Sequence, residues 1–175
     1  MRHLFLPDCY IEHFSKLNLD MLHNHGIRVL ICDVDNTLAA HDVVMMDQEV
    51  QQFVQRVQDA GIIVAIVSNN SKARVSQFVG TNDFYFISNA KKPLHFAFRA
   101  IQRRFQVQVK EMAMLGDQLL TDMLGANTYG MRSILTKPLV ERDIAWTRIN
   151  RIIEQVVYGY LKKRYRFEKG VYYDK

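Results

Sequence analysis

Four apolar runs, each closing on a polar cluster, organise the middle of the chain. Ile27-Arg28-Val29-Leu30-Ile31-Cys32 leads into Asp33-Val34-Asp35-Asn36-Thr37-Leu38, and Ile62-Ile63-Val64-Ala65-Ile66-Val67 into Ser68-Asn69-Asn70. Phe84-Tyr85-Phe86-Ile87 precedes Lys91-Lys92-Pro93, and Met112-Ala113-Met114-Leu115 opens onto Gly116-Asp117-Gln118-Leu119-Leu120-Thr121-Asp122. Short, near-continuous apolar runs read as parallel strands buried on both faces. Between them the spacing turns helical: Val50, Phe53, Val54 and Val57 share one face, with Asp47 as N-cap and Gly61 past the end, and Val75, Phe78 and Val79 share another. The pattern predicts an α/β, Rossmann-like three-layer sandwich with a five-stranded parallel sheet. One domain is expected, with an amphipathic helical segment over about 8–25, the core over 27–136, and a helix with a basic tail over about 143–175. In the opening segment Tyr10, Ile11, Phe14, Leu17, Leu19, Met21 and Leu22 cover the core; in the closing helix Ile149, Ile152, Ile153, Val156, Val157, Tyr160 and Leu161 repeat at helical spacing.

In a parallel sheet all four clusters face the carboxyl end of the strands, the edge where open α/β sheets bind ligands. They can therefore form one site. Asp33 and Asp35 alone would fit a solvated turn or a helix cap, but neighbouring acids repel unless a cation shares the site, and a hard divalent ion with oxygen ligands, Mg²⁺, suits the pair.

Composition leaves this picture intact. The 175 residues, 49% of them hydrophobic, are enough for a sizeable core. The opening apolar stretch is too short for a signal peptide and nothing approaches a membrane span, so a soluble cytoplasmic protein is expected. Cys9 and Cys32 match no metal-ligand spacing and read as buried, reduced thiols, while His23 and His25 read as a polar helix end and His41 as loop. A net charge of +5 suits phosphate-bearing partners. No nucleic-acid motif accompanies it. The excess charge gathers in Lys162-Lys163-Arg164-Tyr165-Arg166-Phe167, either a solvated end or a contact for anionic lipid at the inner face of a membrane.

The clusters, taken in order, resemble the four motifs of the haloacid dehalogenase (HAD) superfamily of phosphatases: D-x-D-x-T, a strand-end Ser or Thr, a Lys, and G-D-x-x-x-x-D. Each is weak alone; the ordered set, over residues 27–135, is specific. A phosphoacceptor receiver module is a poorer match, because its acid pair is adjacent and its phosphorylated Asp lies on another strand. Within the superfamily the chain is similar to subfamily IIIA and its small bacterial YqeG-like group, itself similar to phosphatidylglycerophosphate phosphatases. Early Leu6-Pro7-Asp8, Asn36 after the second Asp, and Ser68-Asn69-Asn70 carry that closer likeness.

The resemblance implies a capless HAD core with Asp33 as nucleophile and Asp35 as general acid and base. It implies Ser68, Asn69 and Lys92 on the phosphate, Mg²⁺ held by Asp33, Asp35 through its carbonyl, and Asp117, and support from Thr37 and Asp122. Residue chemistry agrees: a carboxylate attacking phosphorus splits one displacement into two, and a second carboxyl on the same face of an extended chain can protonate the leaving oxygen and then activate water. Lys91 and Lys92 are both candidates for the phosphate. Lys92 is preferred because Pro93 is expected to open the next helix. Ser68 would also serve as a helix cap, and Asp122 as a charge favoured by a helix N-terminus.

The connections after Asp33 and Ser68 are too short for an inserted cap domain. An open site admits bulky phosphates, a lipid head group such as phosphatidylglycerophosphate among them. Two alternatives stand beside this: a soluble sugar phosphate or nucleotide as substrate, and an idle module binding RNA or a protein partner.

Overall fold

The computed structural model describes residues 3–82, 84–140 and 148–174, with side chains omitted over 148–152. Its sheet has seven strands: β1 (Cys9–Ile11), β2 (Val29–Cys32), β3 (Ile63–Val67), β4 (Tyr85–Ile87), β5 (Met112–Gly116), β6 (Arg132–Thr136) and β7 (Tyr173–Asp174), in the order β4-β3-β2-β5-β6-β1-β7. All neighbours are parallel except β7, which runs antiparallel to β1. Val29 sits opposite both Ile63 and Met112, so β2 is flanked on both edges and every one of its side chains is buried.

The helices are α1 (Leu19–Asn24), α2 (Gln48–Asp59), α3 (Lys72–Val79), α4 (Phe96–Phe105), α5 (Leu124–Tyr129) and α6 (Arg148–Tyr165). Alternation along the strands sorts the core into two layers. Leu30, Cys32, Val64 and Ile66 pack with Val50, Phe53 and Val57 of α2, Phe78 of α3 and Leu22 of α1. Val29, Ile31, Ala65 and Met114 point the other way, onto Phe98 and Ile101 of α4 and Ala126 of α5. A third cluster joins Tyr10, Leu119, Met123 and Leu135 to Leu161 of α6 and to Phe167. Each fully buried Val, Leu, Ile, Phe or Met among them contributes roughly 1.5–3 kcal/mol. As expected, Asp47 caps α2, its carboxylate accepting from the Val50 N–H at 2.9 Å, and the chain leaves through Gly61 at φ 76.

Three expectations change. The sheet gains two strands over the five expected, because residues 9–11 pair with β6 and the chain end returns to pair with β1. Tyr10 and Ile11 therefore lie in a strand, not in a helix running through 8–25, and only α1 and a single turn at Phe14–Lys16 remain helical there. Pro93 does not open α4: Lys91 adopts a left-handed φ of 55, the Leu94 N–H closes a tight turn onto the Lys91 carbonyl, and the helix begins at Phe96. The expected start of the last element at 143 lies outside the described residues.

α6 crosses the sheet from end to end. Glu154 accepts from the Leu119 N–H, just past the carboxyl end of β5, while the rings of Tyr160 and Tyr165 stand against His3, on the segment entering β1. Lys162, Lys163, Arg164 and Arg166 are consequently exposed at the end of the sheet away from the polar clusters. Phe167 is buried on Tyr10, so this segment is folded back and is not a free charge run.

Candidate active site

The loops after β2, β3, β4 and β5 converge at the carboxyl edge. Asp33 is anchored by its N–H on the Leu115 carbonyl of β5, and the following residues close a tight loop in which the Thr37, Leu38 and Ala39 N–H groups all reach the Val34 carbonyl. Asn36 tolerates a φ of 67 there, and its side chain bonds the backbone of Val140 in both directions.

Lys92 is the hub. Its ammonium lies 2.6 Å from Asp33 Oδ1, 2.7 Å from Asp122 Oδ1 and 3.0 Å from the Val67 carbonyl. The exposed Lys91 stays outside this arrangement. Asn69 holds the Lys92 backbone, accepting from its N–H at 2.7 Å and donating to its carbonyl at 3.1 Å. The Asn69 side chain is thus occupied in positioning Lys92, and the phosphate contact expected of the backbone N–H groups near Asn69 does not depend on it.

Oxygen atoms of Asp33, Asp117 and Asp122 lie within 4.8 Å of one another, all three residues buried. Thr37 donates to Asp117 Oδ1 at 3.1 Å, and the Gln118 N–H reaches Asp122 Oδ2 at 3.1 Å. Asp122 stands inside the acid cluster, held there by a π-helical turn over Leu119–Met123, where a regular helix start was expected. Gly116 has to be glycine: a Cβ there would overlap the Asp122 carboxyl group. Three carboxylates against one ammonium leave two negative charges for a cation to balance, and an all-oxygen set of this size suits a hard divalent ion.

Burial, the largest effect, together with the Asp122 and Asp35 charges, pushes the Asp33 carboxyl up to about 7 although Lys92 pulls it down. Asp117 is raised well above the carboxylate range, first by burial and then by Asp122 and Asp33, with the Thr37 hydroxyl opposing. Burial alone would lower Lys92; the Asp122 and Asp33 carboxylates outweigh it and raise the ammonium further. Lys92 therefore stays protonated, and the acids around it are short of positive charge.

Asp35 points away from the three clustered acids. Its Oδ2 accepts from Ser68 Oγ at 3.2 Å and Asn70 Nδ2 at 2.9 Å, its Oδ1 from Arg74 Nη2 at 3.1 Å, and His41 Nδ1 stands 3.7 Å off. Its carboxylate is thus separate from the cluster of Asp33, Asp117 and Asp122 and held by donors of its own. Arg74, Asn70 and Glu154 carried no expected role; a basic or acidic residue on a helix face reads as solvated, and nothing in the spacing says otherwise. Cys9 and Cys32 are buried and unpaired, as expected, and burial pushes the Cys9 thiol up to about 12.

Residues 1–141 match the family model described as mitochondrial PGP phosphatase. The chain belongs to that family. A protein of Bacillus subtilis (strain 168) named "Probable phosphatase YqeG" is 32% identical over 94% of this chain and 95% of its own. The phosphatidylglycerophosphate phosphatase 1 of Arabidopsis thaliana chloroplasts and mitochondria is 23% identical over 93% of this chain, which spans half the length of the plant protein. An uncharacterized protein of Listeria monocytogenes serotype 4b shares the fold, with a TM-score of 0.54 and 16% identity over 67% of this chain and 85% of that one. The family member described here is thus a phosphatase, a phosphoric monoester hydrolase on an α/β core.

Proposed function

We propose that the protein is a Mg²⁺-dependent phosphomonoesterase that works through an aspartyl phosphate on Asp33 and acts on phosphatidylglycerophosphate or another phosphomonoester with a bulky leaving group. The observation that carries this reading is the buried knot of Asp33, Lys92, Asp117 and Asp122 at the carboxyl edge of the sheet.

A carboxylate oxygen of Asp33 attacks phosphorus, forming an acyl-phosphate bond as the ester P–O bond breaks, and Asp35 gives its proton to the leaving oxygen. Asp35 then takes a proton from water, whose oxygen attacks phosphorus and releases phosphate and the free Asp33 carboxylate. Lys92 and the Ser68 hydroxyl stabilise the equatorial oxygens, and Thr37 fixes the orientation of Asp117. A divalent cation held by Asp33, Asp117 and Asp122 would supply the charge compensation that lets an anionic phosphoryl group approach an anionic nucleophile.

The open mouth supports a large substrate. Residues 33–47 and 68–71 are loop, with no inserted domain over them. Met45 and Leu94 are exposed on the connections that follow β2 and β4, and Phe96 at the first position of α4, where a bilayer carrying the substrate would meet the protein, and no helix among the described residues is long and apolar enough to cross a membrane. The family match and the plant relative favour a lipid phosphate. The deciding experiment is a phosphatase screen of the purified protein against lipid, sugar and nucleotide phosphates with and without Mg²⁺. Turnover of the lipid at least tenfold above the others is expected; a preference for a sugar phosphate or nucleotide would replace the lipid reading with the soluble one.

A further inference from the structure

Gln118 opens the π-helical turn Leu119–Met123 without a side-chain cap, although the first N–H groups of a helical turn have no acceptor within it. Inside the turn the Asp122 and Met123 N–H groups reach the Gln118 carbonyl at 3.1 and 3.2 Å, and the Thr121 hydroxyl donates to Gln118 Oε1 at 3.2 Å. The acceptor that Gln118 does not provide comes from 35 residues away. Glu154 on α6 accepts from the Leu119 N–H at 2.8 Å, and the Leu120 N–H bonds the same carboxylate.

This cap is an expensive one. Burial, the largest effect, pushes the Glu154 carboxyl up, the Leu119 and Leu120 N–H groups pull it back, and the Asp122 charge adds to the rise. A neutral Ser, Thr or Asn at the cap position is the ordinary local solution and brings no fourth carboxylate toward a cluster of three. α6 is nevertheless seated to deliver Glu154: Leu161 is buried with Leu119 and Met123, and Tyr158 stacks on Phe167 with ring centroids 5.8 Å apart. The helix lies beyond residues 1–141, the stretch that matches the family model, so a later part of the chain reaches into the acid cluster. What it grips matters, because Asp117 precedes this turn and Asp122 lies within it. A shift of Leu119 or Leu120 alters the separation of those two acids.

We propose that Glu154 is a positioning residue for the metal site: by accepting from the Leu119 and Leu120 N–H groups it holds the π-helical turn in the form that keeps Asp122 beside Asp33 and Asp117. Among the described residues the acids close enough to share an ion are those three, so Glu154 acts through the turn and not as a ligand. The role rests on the reading of the cluster as a Mg²⁺ site. It depends on the reach of the side chain more than on its charge. Glu154→Gln keeps an acceptor oxygen at the same reach, Glu154→Asp keeps the charge but withdraws the oxygen by one methylene, and Glu154→Ala removes both.

The test measures Mg²⁺ affinity of the full chain by titration calorimetry, with melting temperatures in EDTA alongside. Removing a group that orients metal ligands costs about 10–100-fold in affinity, so Glu154→Ala and Glu154→Asp should each weaken Mg²⁺ by about tenfold or more, while Glu154→Gln stays within about threefold of the parent. Turnover of a small soluble phosphomonoester by Glu154→Asp should fall at limiting Mg²⁺ and recover when the ion is saturating. Ala and Asp variants that bind Mg²⁺ as tightly as the parent, even with lowered melting temperatures, would make Glu154 a packing contact only and overturn the proposal. A Gln variant weakened as much as the Asp variant overturns it too, since charge and not reach would then carry the effect. Should Glu154→Ala not fold, the comparison of Gln with Asp decides alone. Failure of the underlying reading looks different: the parent itself binds no Mg²⁺, and the proposed role falls with the site.

Discussion

Lys92 stands 2.6 Å from Asp33 while touching Asp122 at 2.7 Å, so one ammonium is shared by two buried carboxylates and a third, Asp117, is left to Thr37. That imbalance predicts a metal requirement. EDTA should abolish turnover and Mg²⁺ restore it. The ion should also raise the melting temperature, since a ligand at a hundred times its Kd adds about 2.7 kcal/mol to stability. Calorimetry with and without the ion checks both halves, and an enzyme restored by zinc but not by magnesium would contradict the oxygen-ligand reading.

The raised carboxyls give a pH dependence of definite sign. Asp33 ordinarily titrates near 3.8 and in the fold near 7, so the protein favours its protonated form. The stability it contributes is fully present below about 4 and is lost as pH rises through about 7. Asp117 is shifted the same way. In EDTA, Asp33→Asn should therefore gain stability relative to the parent as pH rises from 5 to 8. Saturating Mg²⁺ should reverse the order, because the ion needs the charged carboxylate. Parallel melting curves for the two proteins across that range would show that Asp33 is not strained by its charge.

Asp33→Asn should also reduce kcat by at least about 10⁴, the scale seen when a nucleophile is removed, with circular dichroism unchanged. Phosphate trapped on the parent after rapid acid quench should be absent from the variant. Turnover retained by purified Asp33→Asn rules out the nucleophile.

Gly116→Ala probes the acid cluster through the backbone. The added methyl overlaps Asp122, whose carboxylate is bound to Lys92 and to the Gln118 N–H, so it can move only by breaking those contacts. A destabilisation on the order of 1–3 kcal/mol is expected from overpacking, with a larger proportional loss of Mg²⁺ affinity by titration calorimetry. Unchanged affinity would place Asp122 outside the ion's coordination.

What was legible beforehand follows from how far each signal reaches along the chain. Asp33, Asp35, Ser68, Lys92 and Asp117 close apolar runs, and strand ends of a parallel sheet share one edge, so their convergence needs only local periodicity. β1 and β7 are different. Three and two residues long, they exist through pairing between residues 9–11, 132–136 and 173–174, and Tyr10-Ile11 also fits a helical stripe with Phe14. The position of Asp122 depends on a π-helical turn that no spacing rule anticipates. Arg74 was hidden for another reason: a long basic side chain at an exposed helix start is normally solvated, and only the fold brings it onto Asp35.

The basic segment Lys162, Lys163, Arg164 and Arg166 carries the last prediction. Each cation near an anionic bilayer is worth roughly 1 kcal/mol, so charge alone argues that these four hold the protein on a membrane. Geometry argues otherwise. From Glu154, beside the site, to Tyr165 is about 16 Å along the helix at 1.5 Å per residue, and it leads toward His3 at the opposite end of the sheet. A bilayer bound there would not face the open mouth, whereas Met45, on the 33–47 loop, and Leu94 and Phe96, just past Lys92 in the chain, are exposed. Replacing the four cations by Gln should change lipid turnover on phosphatidylglycerol vesicles less than twofold, while Met45→Asp with Phe96→Asp should lower both vesicle binding and lipid turnover at least fivefold. Hydrolysis of a small soluble phosphoester by each variant serves as the control for an intact site. A large loss on neutralising the basic segment, measured at low salt, would mean that the membrane contacts that end of the molecule and that the substrate must reach the site from the side.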